Sequence, residues 1–379
     1  MEKNKSDFSW KTLLSVGGAF AAYHIGSGFA SGQEVLQFFG SWGGAWAFIT
    51  PLIPMVFIFI YAVSTFRSGM LQSFENPSDA YVWYCGKWVS KFMDIFSIIM
   101  IAGIGLVMFS GCGATLQQYL GVPQYVGAVG LGIISVFVVW FGLEKVTDVL
   151  GVSGIIIIGF VVAVGIYTML TSDVSLLEAE KNVPQYAAEG KILQASLFGI
   201  KSPVVAGLFY GGMTLLDGFP FMIALSRRIK SKKEVVGCAA AASILFTLGV
   251  MLVSFTVLME IDYVIESGAQ VPMLAIVSEK LPWLSLPFTI VIVAGIFTTI
   301  VGYLWIIGRR FAPDKSTKQR IIIVVTALVG IFAGSVIPFG TIINVLYPFA
   351  GCVGVVLFVI VVVNDFVRWR RSKKALPQA

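Results

Sequence analysis

The sequence predicts an all-α polytopic membrane protein, with ten transmembrane helices in a 5+5 inverted repeat. Three observations predict it: the composition, the number of apolar runs, and the side of the membrane on which basic residues fall. Of 379 residues, 57% are apolar and 12% charged, against roughly 45–50% and about 25% in soluble domains. A chain this poor in polar groups does not cover its own surface in water. Period-two alternation is absent, which argues against a membrane barrel.

A helix crosses the hydrocarbon layer with about 20 apolar residues. Charges, glycines and prolines divide the chain into runs of that kind at 11–39, 44–68, 92–118, 123–142 and 146–171, then at 203–226, 234–259, 283–308, 321–337 and 341–367. The first run follows Lys3 and Lys5 and contains Ala19-Phe20-Ala21, which imitates a signal-peptide cleavage site. It continues unbroken to Phe39, too long for a signal core, and is read as a retained span. Segment 172–202 is the long loop between the two halves and is expected to carry a short surface helix, while 261–282 is a second loop on the same side. The whole chain is therefore one transmembrane domain, with 11–171 as the first five-helix unit and 203–367 as the second.

Net charge is only +6, weak ground for nucleic-acid binding, and its distribution is more informative. Loops on the N-terminal side hold 22 of the 26 Lys and Arg residues, concentrated at 227–233, 309–320 and 368–374. The opposite side has Lys181, Lys191, Lys201 and Lys280. An even number of spans puts both termini on one side, and by the positive-inside rule that side is cytoplasmic. Cys85, Cys112, Cys238 and Cys352 lack paired spacing, so neither a disulfide framework nor a metal motif is implied. With a single histidine, no paired aspartate motif at depth and no phosphate-binding loop, the sequence does not read as an enzyme. The lipid bilayer and a small-molecule solute are the expected partners; no nucleic acid or protein partner is implied, and no organic cofactor. Trp10, Trp42 and Trp369 suit interfacial anchors.

Two spans carry polar, glycine-dense stretches at the same depth. Span 1 contains Tyr23-His24-Ile25-Gly26-Ser27-Gly28-Phe29-Ala30-Ser31-Gly32-Gln33-Glu34. Lys11 to Gly26 is about 22 Å of helix, which reaches the bilayer midplane. Span 6 contains Tyr210-Gly211-Gly212-Met213-Thr214-Leu215-Leu216-Asp217-Gly218-Phe219-Pro220, and Asp217 lies about 15 Å from Arg227 by the same rise. Helices 1 and 6 are both expected to be interrupted there, since glycine disfavours helix and Pro220 removes a donor. Five spans separate the two stretches, so the second unit enters the membrane from the opposite face.

An interrupted first helix with Gly26-Ser27-Gly28, a glycine-rich sixth helix and a 5+5 inverted repeat resemble the LeuT fold of the amino acid-polyamine-organocation superfamily. The run Gly26 to Glu34 in a compact ten-helix chain is similar to the YkvI family of bacterial membrane proteins. The resemblance implies secondary active transport by alternating access in the bacterial inner membrane, with spans 1, 2, 6 and 7 rocking against 3, 4, 8 and 9. It also maps a sodium site onto Ala22, Ile25, Gly295, Thr298 and Thr299, with sodium as the coupling ion; span 5 lacks the lysine that proton-coupled relatives carry.

Free amides and carbonyls at a midplane break must be satisfied by something other than lipid. Amides after Gly28 suit a carboxylate, and carbonyls at Ala22 and Ile25 suit a cation, so a small amino acid or related amine fits both. Ser27, Gly28, Gly211, Gly212, Thr214, Asp217 and Tyr303 are the expected solute-binding residues, with His24 and Glu34 as gating or proton-carrying groups. Each has a structural competitor. Gly28 and Gly32 make a helix-packing pair, Thr298 and Thr299 are able to bond back to their own helix, and His24 is able to serve as an interhelical bond. Asp217 suits a helix cap, and Glu34, near the outer end, suits a solvated vestibule. Two functional alternatives stay open: a solute-sensing receptor subunit of the same fold, and a proton-coupled transporter using Asp217, His24 or Glu34.

Overall fold

A computed structural model describes residues 9–25, 27–74, 79–141, 146–313 and 315–374. The helices are α1 (Trp10–His24), α2 (Ser27–Ala30), α3 (Gln33–Phe38), α4 (Trp46–Ile49), α5 (Leu52–Gln72), α6 (Asp79–Leu120), α7 (Gln124–Phe141) and α8 (Val146–Thr171). Two short helices, α9 (Leu176–Ala179) and α10 (Val183–Ala188), and a two-stranded hairpin, β1 (Ser196–Leu197) with β2 (Ile200–Lys201), fill the loop between the halves. The second half comprises α11 (Pro203–Leu225), α12 (Lys232–Met259), α13 (Ile261–Glu266), α14 (Pro272–Lys280), α15 (Ser285–Phe311), α16 (Thr317–Val336) and α17 (Phe339–Lys374).

Local chemistry sets several of these ends. Ser9, Ser231 and Ser316 cap α1, α12 and α16 by accepting from backbone N–H groups three residues on. Pro203 and Pro272 open α11 and α14, where a missing N–H costs nothing. Buried Glu234 accepts from the N–H groups of Ser9 and Lys230, which ties the start of α1 to the base of α12.

Every expected span coincides with helix, but not every one is a single unbroken helix long enough by itself to cross a bilayer. Seven described helices are long and apolar enough to cross a bilayer, and an eighth results if Ile156–Thr171 is joined to Leu176–Ala188, across a bend of 89°. The shortfall from ten lies in span 1, which is in three pieces, and in Gln124–Trp140, which is apolar but short. The chain is a multi-pass membrane protein.

The helices pack as two groups. In one, α11 and α12 each contact both α1 and α5; in the other, α6, α7, α15 and α16 contact one another; α8 touches both α12 and α15, and α17 touches both α11 and α6. The tightest crossing is α11 on α17. A Cβ on Gly212 would run into the Gly351 carbonyl, one on Gly354 into the Gly212 carbonyl, and one on Gly351 into the Phe209 carbonyl.

Span 6 differs from expectation. Helix α11 runs without a break from Pro203 to Leu225, with Pro220 inside it. Its glycines admit neighbours instead of bending the chain: Gly211 lies under the Phe57 ring, Gly212 against α17 and Gly218 under the His24 ring. Packing outweighs the modest helix penalty of each glycine. Asp217 is therefore a mid-helix residue and does not cap a half-helix.

A break the sequence did not suggest lies in α6, where Gly86 has φ 70° and ψ 176°. The C-terminal part of α17 holds it, with Asn364 Nδ2 donating to the Tyr84 carbonyl at 2.6 Å and the Arg368 guanidinium to that of Trp83 at 2.7 Å. This backbone region is open essentially to glycine alone. Gly86→Ala is expected to cost about 1–3 kcal/mol, read as a lowered thermal midpoint of the protein in detergent.

Candidate functional site

The first span supplies the centre of the site. Helix α1 stops at His24, Ile25 caps it with its N–H on the Ala21 carbonyl at 2.7 Å, and helix resumes at Ser27. Gly26 and the Ser27 side chain lie outside the described residues. After one turn the chain breaks again. The Ser31 hydroxyl donates to the Gly28 carbonyl, Gly32 adopts φ 80°, and Met273 at the start of α14 donates its N–H to the Ser31 carbonyl at 3.0 Å. A left-handed residue at 32 is what only glycine adopts cheaply, and it redirects α3 so that Glu34 turns back toward Gly28.

Glu34 is 4% exposed. Its Oε1 accepts from the Tyr210 hydroxyl at 2.9 Å. A Cβ placed on Gly28 would lie 3.1 Å from Glu34 Oε2 and 3.7 Å from the Tyr347 hydroxyl. One carboxylate thus joins α2, α3, α11 and α17. The sequence had allowed a solvated vestibule position, and burial excludes it. Tyr210 is packed edge-on by Phe38 and Phe39, with ring centroids at 5.1 and 4.8 Å, closing this end with aromatic rings.

Beneath this seal is a cavity of about 90 Å³. Its walls include Tyr23, His24, Gly28, Glu34, Tyr210, Thr214, Asp217, Thr299, Tyr303 and Tyr347. A second cavity of about 510 Å³ shares Tyr23, Ile104, Met213, Asp217 and Tyr303 with it, and reaches Asp94, Arg309 and Arg310 at the end of the molecule that bears the basic loops. The small cavity therefore adjoins a wide mouth on that side and aromatic packing on the other. Both cavities lie between the two helix groups.

Of the expected residues, His24, Gly28, Glu34, Thr214, Asp217, Thr299 and Tyr303 come together on the small cavity. Gly211 and Gly212 do not; they are buried against Phe57 and α17. His24 bridges two helices, with Nδ1 3.0 Å from the Phe20 carbonyl and Nε2 3.0 Å from that of Thr214. Tyr23 stacks on Phe221 and donates to the Asp217 backbone carbonyl at 3.3 Å. Tyr61 donates to the Thr214 hydroxyl, which donates to the Gly211 carbonyl. Tyr23 and Tyr210 stand inside the two glycine-rich stretches and were open to choice from sequence; Tyr347 has no local signal.

The expected sodium ligands are grouped in part. The Thr298 and Thr299 hydroxyls both donate to the Gly295 carbonyl, at 2.8 and 3.0 Å, so three oxygens cluster on one face of α15 with hydroxyl lone pairs left to accept or coordinate. The part of span 1 packed on α15 is α2, while α1, which carries Ala22, lies against α12. Hard oxygens of this kind suit a small cation. Among the described residues no three His, Cys, Asp or Glu side chains form a metal-binding group.

Outside the membrane-spanning helices, α10 is latched to α13. Tyr186 donates to Asp262 at 2.8 Å, and this bond pushes its phenol up to about 12. Gln194 donates to the Ser41 carbonyl and Ala195 to that of Gln37, so the loop also grips the end of α3.

No family model matches the chain. Over 359 residues it is 23% identical to the uncharacterised membrane protein YkvI of Bacillus subtilis strain 168, covering 93% of this chain and 94% of that one. Over 344 residues it is 25% identical to the uncharacterised protein YyaD of the same organism, covering 88% and 91%. Among solved structures it resembles MhsT in complex with L-phenylalanine, at TM-score 0.55 and 14% identity over 91% of this chain and 87% of that one. It also resembles the Eremococcus coleocola manganese transporter bound to an aromatic bis-isothiourea compound, at TM-score 0.56 and 16% identity over 95% and 79%. With its first span broken at the cavity and its helices packed as two groups around it, the chain is built on the LeuT fold.

Proposed function

We propose that the protein is a secondary active transporter of the bacterial inner membrane. It moves a small amino acid or related amine-bearing solute by alternating access, with both termini cytoplasmic. The observation that carries this reading is the small cavity at the broken first helix, lined by two carboxylates, closed at one end by aromatic rings and adjoining a wide mouth at the other. A site between two packed groups is reached from either side when one group tilts against the other. In this reading the ten helices all span the membrane as the repeats 11–171 and 203–367, and the group α1, α5, α11 and α12 rocks against α6, α7, α15 and α16.

Sodium symport is the coupling we propose, and the oxygen cluster on α15 supports it. Gly295, Thr298 and Thr299 would hold the ion together with the carbonyls of Ala22 and Ile25 at the end of α1. The test is solute uptake into proteoliposomes with and without an inward sodium gradient. Uptake is expected to fall to background when sodium is replaced by choline. Thr298→Ala, losing one ligand worth about 1–1.5 kcal/mol, is expected to raise the sodium concentration for half-maximal uptake about tenfold. Equal uptake in sodium-free buffer, with Thr298→Ala unchanged, would reject the sodium assignment.

A second reading, proton coupling, draws on the presence of His24, Glu34 and Asp217 on the same cavity wall. Uptake driven by a proton gradient in sodium-free buffer would favour it. Solute binding without counterflow would favour a sensor.

A further inference from the structure

A zwitterionic solute requires a place for its carboxylate, and the sequence offered the amides after Gly28. Glu34 crowds that stretch from the side of Gly28. Glu34 Oε2 lies 3.1 Å from where a Gly28 side chain would begin, and Oε1 is held by the Tyr210 hydroxyl at 2.9 Å. The placement is built into the chain, since the left-handed Gly32 and the bond from Met273 to Ser31 turn α3 so that Glu34 folds back over α2. The second carboxylate on the cavity, Asp217, stands at its junction with the wide mouth. Among the described residues no lysine or arginine lines the small cavity, Arg309 and Arg310 line only the adjoining one, and the ion pairs, Lys191 with Glu189, Lys280 with Glu260 and Arg310 with Asp94, involve neither carboxylate.

We infer that the solute is an organic cation without a carboxylate, a primary amine or diamine, and that Glu34 stands where the carboxylate of an amino acid would otherwise sit. A solute carboxylate would meet the Glu34 carboxyl group in a small cavity, which is how a site rejects a competitor. An ammonium group instead finds two carboxylates and the aromatic side chains of Tyr23, Phe29 and Tyr303 on the cavity wall, groups able to make cation–π contact. This inference rests on the transport reading for the location of the solute site, and narrows it.

The test pairs molecules that differ by the carboxylate alone: isobutylamine with valine, phenethylamine with phenylalanine, and cadaverine with lysine, measured as binding to the purified full-length protein. At least one amine is expected to bind tenfold or more tightly than its amino acid partner. Glu34→Gln keeps the side-chain shape and an acceptor for Tyr210; it is expected to weaken amine binding at least tenfold and to narrow the gap to the amino acid. Amino acids binding as tightly as their amines, amine affinity unchanged in Glu34→Gln, or no binding of either set by protein that unfolds cooperatively would each overturn the inference. The wild-type comparison decides by itself if Glu34→Gln fails to fold. Amine binding without counterflow in vesicles would remove the transport reading and leave the solute class standing. Accumulation of valine without isobutylamine would do the reverse.

Discussion

Gly354→Ala is expected to lower the thermal midpoint sharply or to prevent recovery of folded protein. Its new Cβ would be driven into the Gly212 carbonyl of α11, with the Gly212 Cα only 2.8 Å away. Overpacking a core typically costs about 1–3 kcal/mol. Here the obstacle is backbone on a helix and not the end of a side chain, so no rotamer change relieves it, and the cost falls at the upper end or above. Gly212 and Gly351 sit at the same crossing, with no spare room between the helices. Gly302→Ala is the control: nothing lies within 4 Å of its added Cβ, and the helix gains roughly 1 kcal/mol of propensity. The measurement is the unfolding midpoint and the gel-filtration profile in detergent. Equal midpoints for the two variants would mean that α11 and α17 do not touch so closely.

Asp217→Asn is expected to raise the half-saturating solute concentration about 30-fold or more, with the unfolding midpoint little changed. The residue lies on an unbroken stretch of α11 and faces both cavities. Asparagine has nearly the same shape and leaves the backbone carbonyl that Tyr23 bonds, so the fold keeps its contacts. What is lost is charge. Removing one partner of a desolvated charge pair costs about 2–5 kcal/mol, and every 1.4 kcal/mol is roughly tenfold in affinity. Uptake at the wild-type concentration dependence would show that Asp217 does not contact the solute.

The positions of the helices were legible in the sequence because an apolar run of given length is a local signal. The first break was legible too, since Gly26-Ser27-Gly28 weakens helix where the chain stops being helical at His24. The same signal misled in span 6. A glycine that bends a helix and one that admits a neighbour look identical in sequence, and the neighbours of Gly211 and Gly212, Phe57 and Gly351, are distant along the chain. For Glu34 the sequence left a vestibule position open beside a gating one for a related reason: counting residues along a straight helix puts it near the outer surface, whereas the turn at Gly32 folds it back over Gly28. Tyr347 reaches the cavity from α17 with nothing in its surroundings to mark it. Thr298 and Thr299 were recognised as a pair on one face, but sequence does not distinguish hydroxyls that only bond to Gly295 from hydroxyls that also take an ion.

Mechanically, α17 is a lever. Its middle is wedged into α11 at Gly351 and Gly354, and its far part grips the joint at Gly86 through Asn364 and Arg368. The arm between these points is about 20 Å of continuous helix. The same helix therefore touches both α11 beside the cavity and the short helical segment that begins at Asp79, which carries Tyr81 in the wall of the wide mouth. One continuous helix thus ties the crossing beside the cavity to the joint at the wall of the wide mouth.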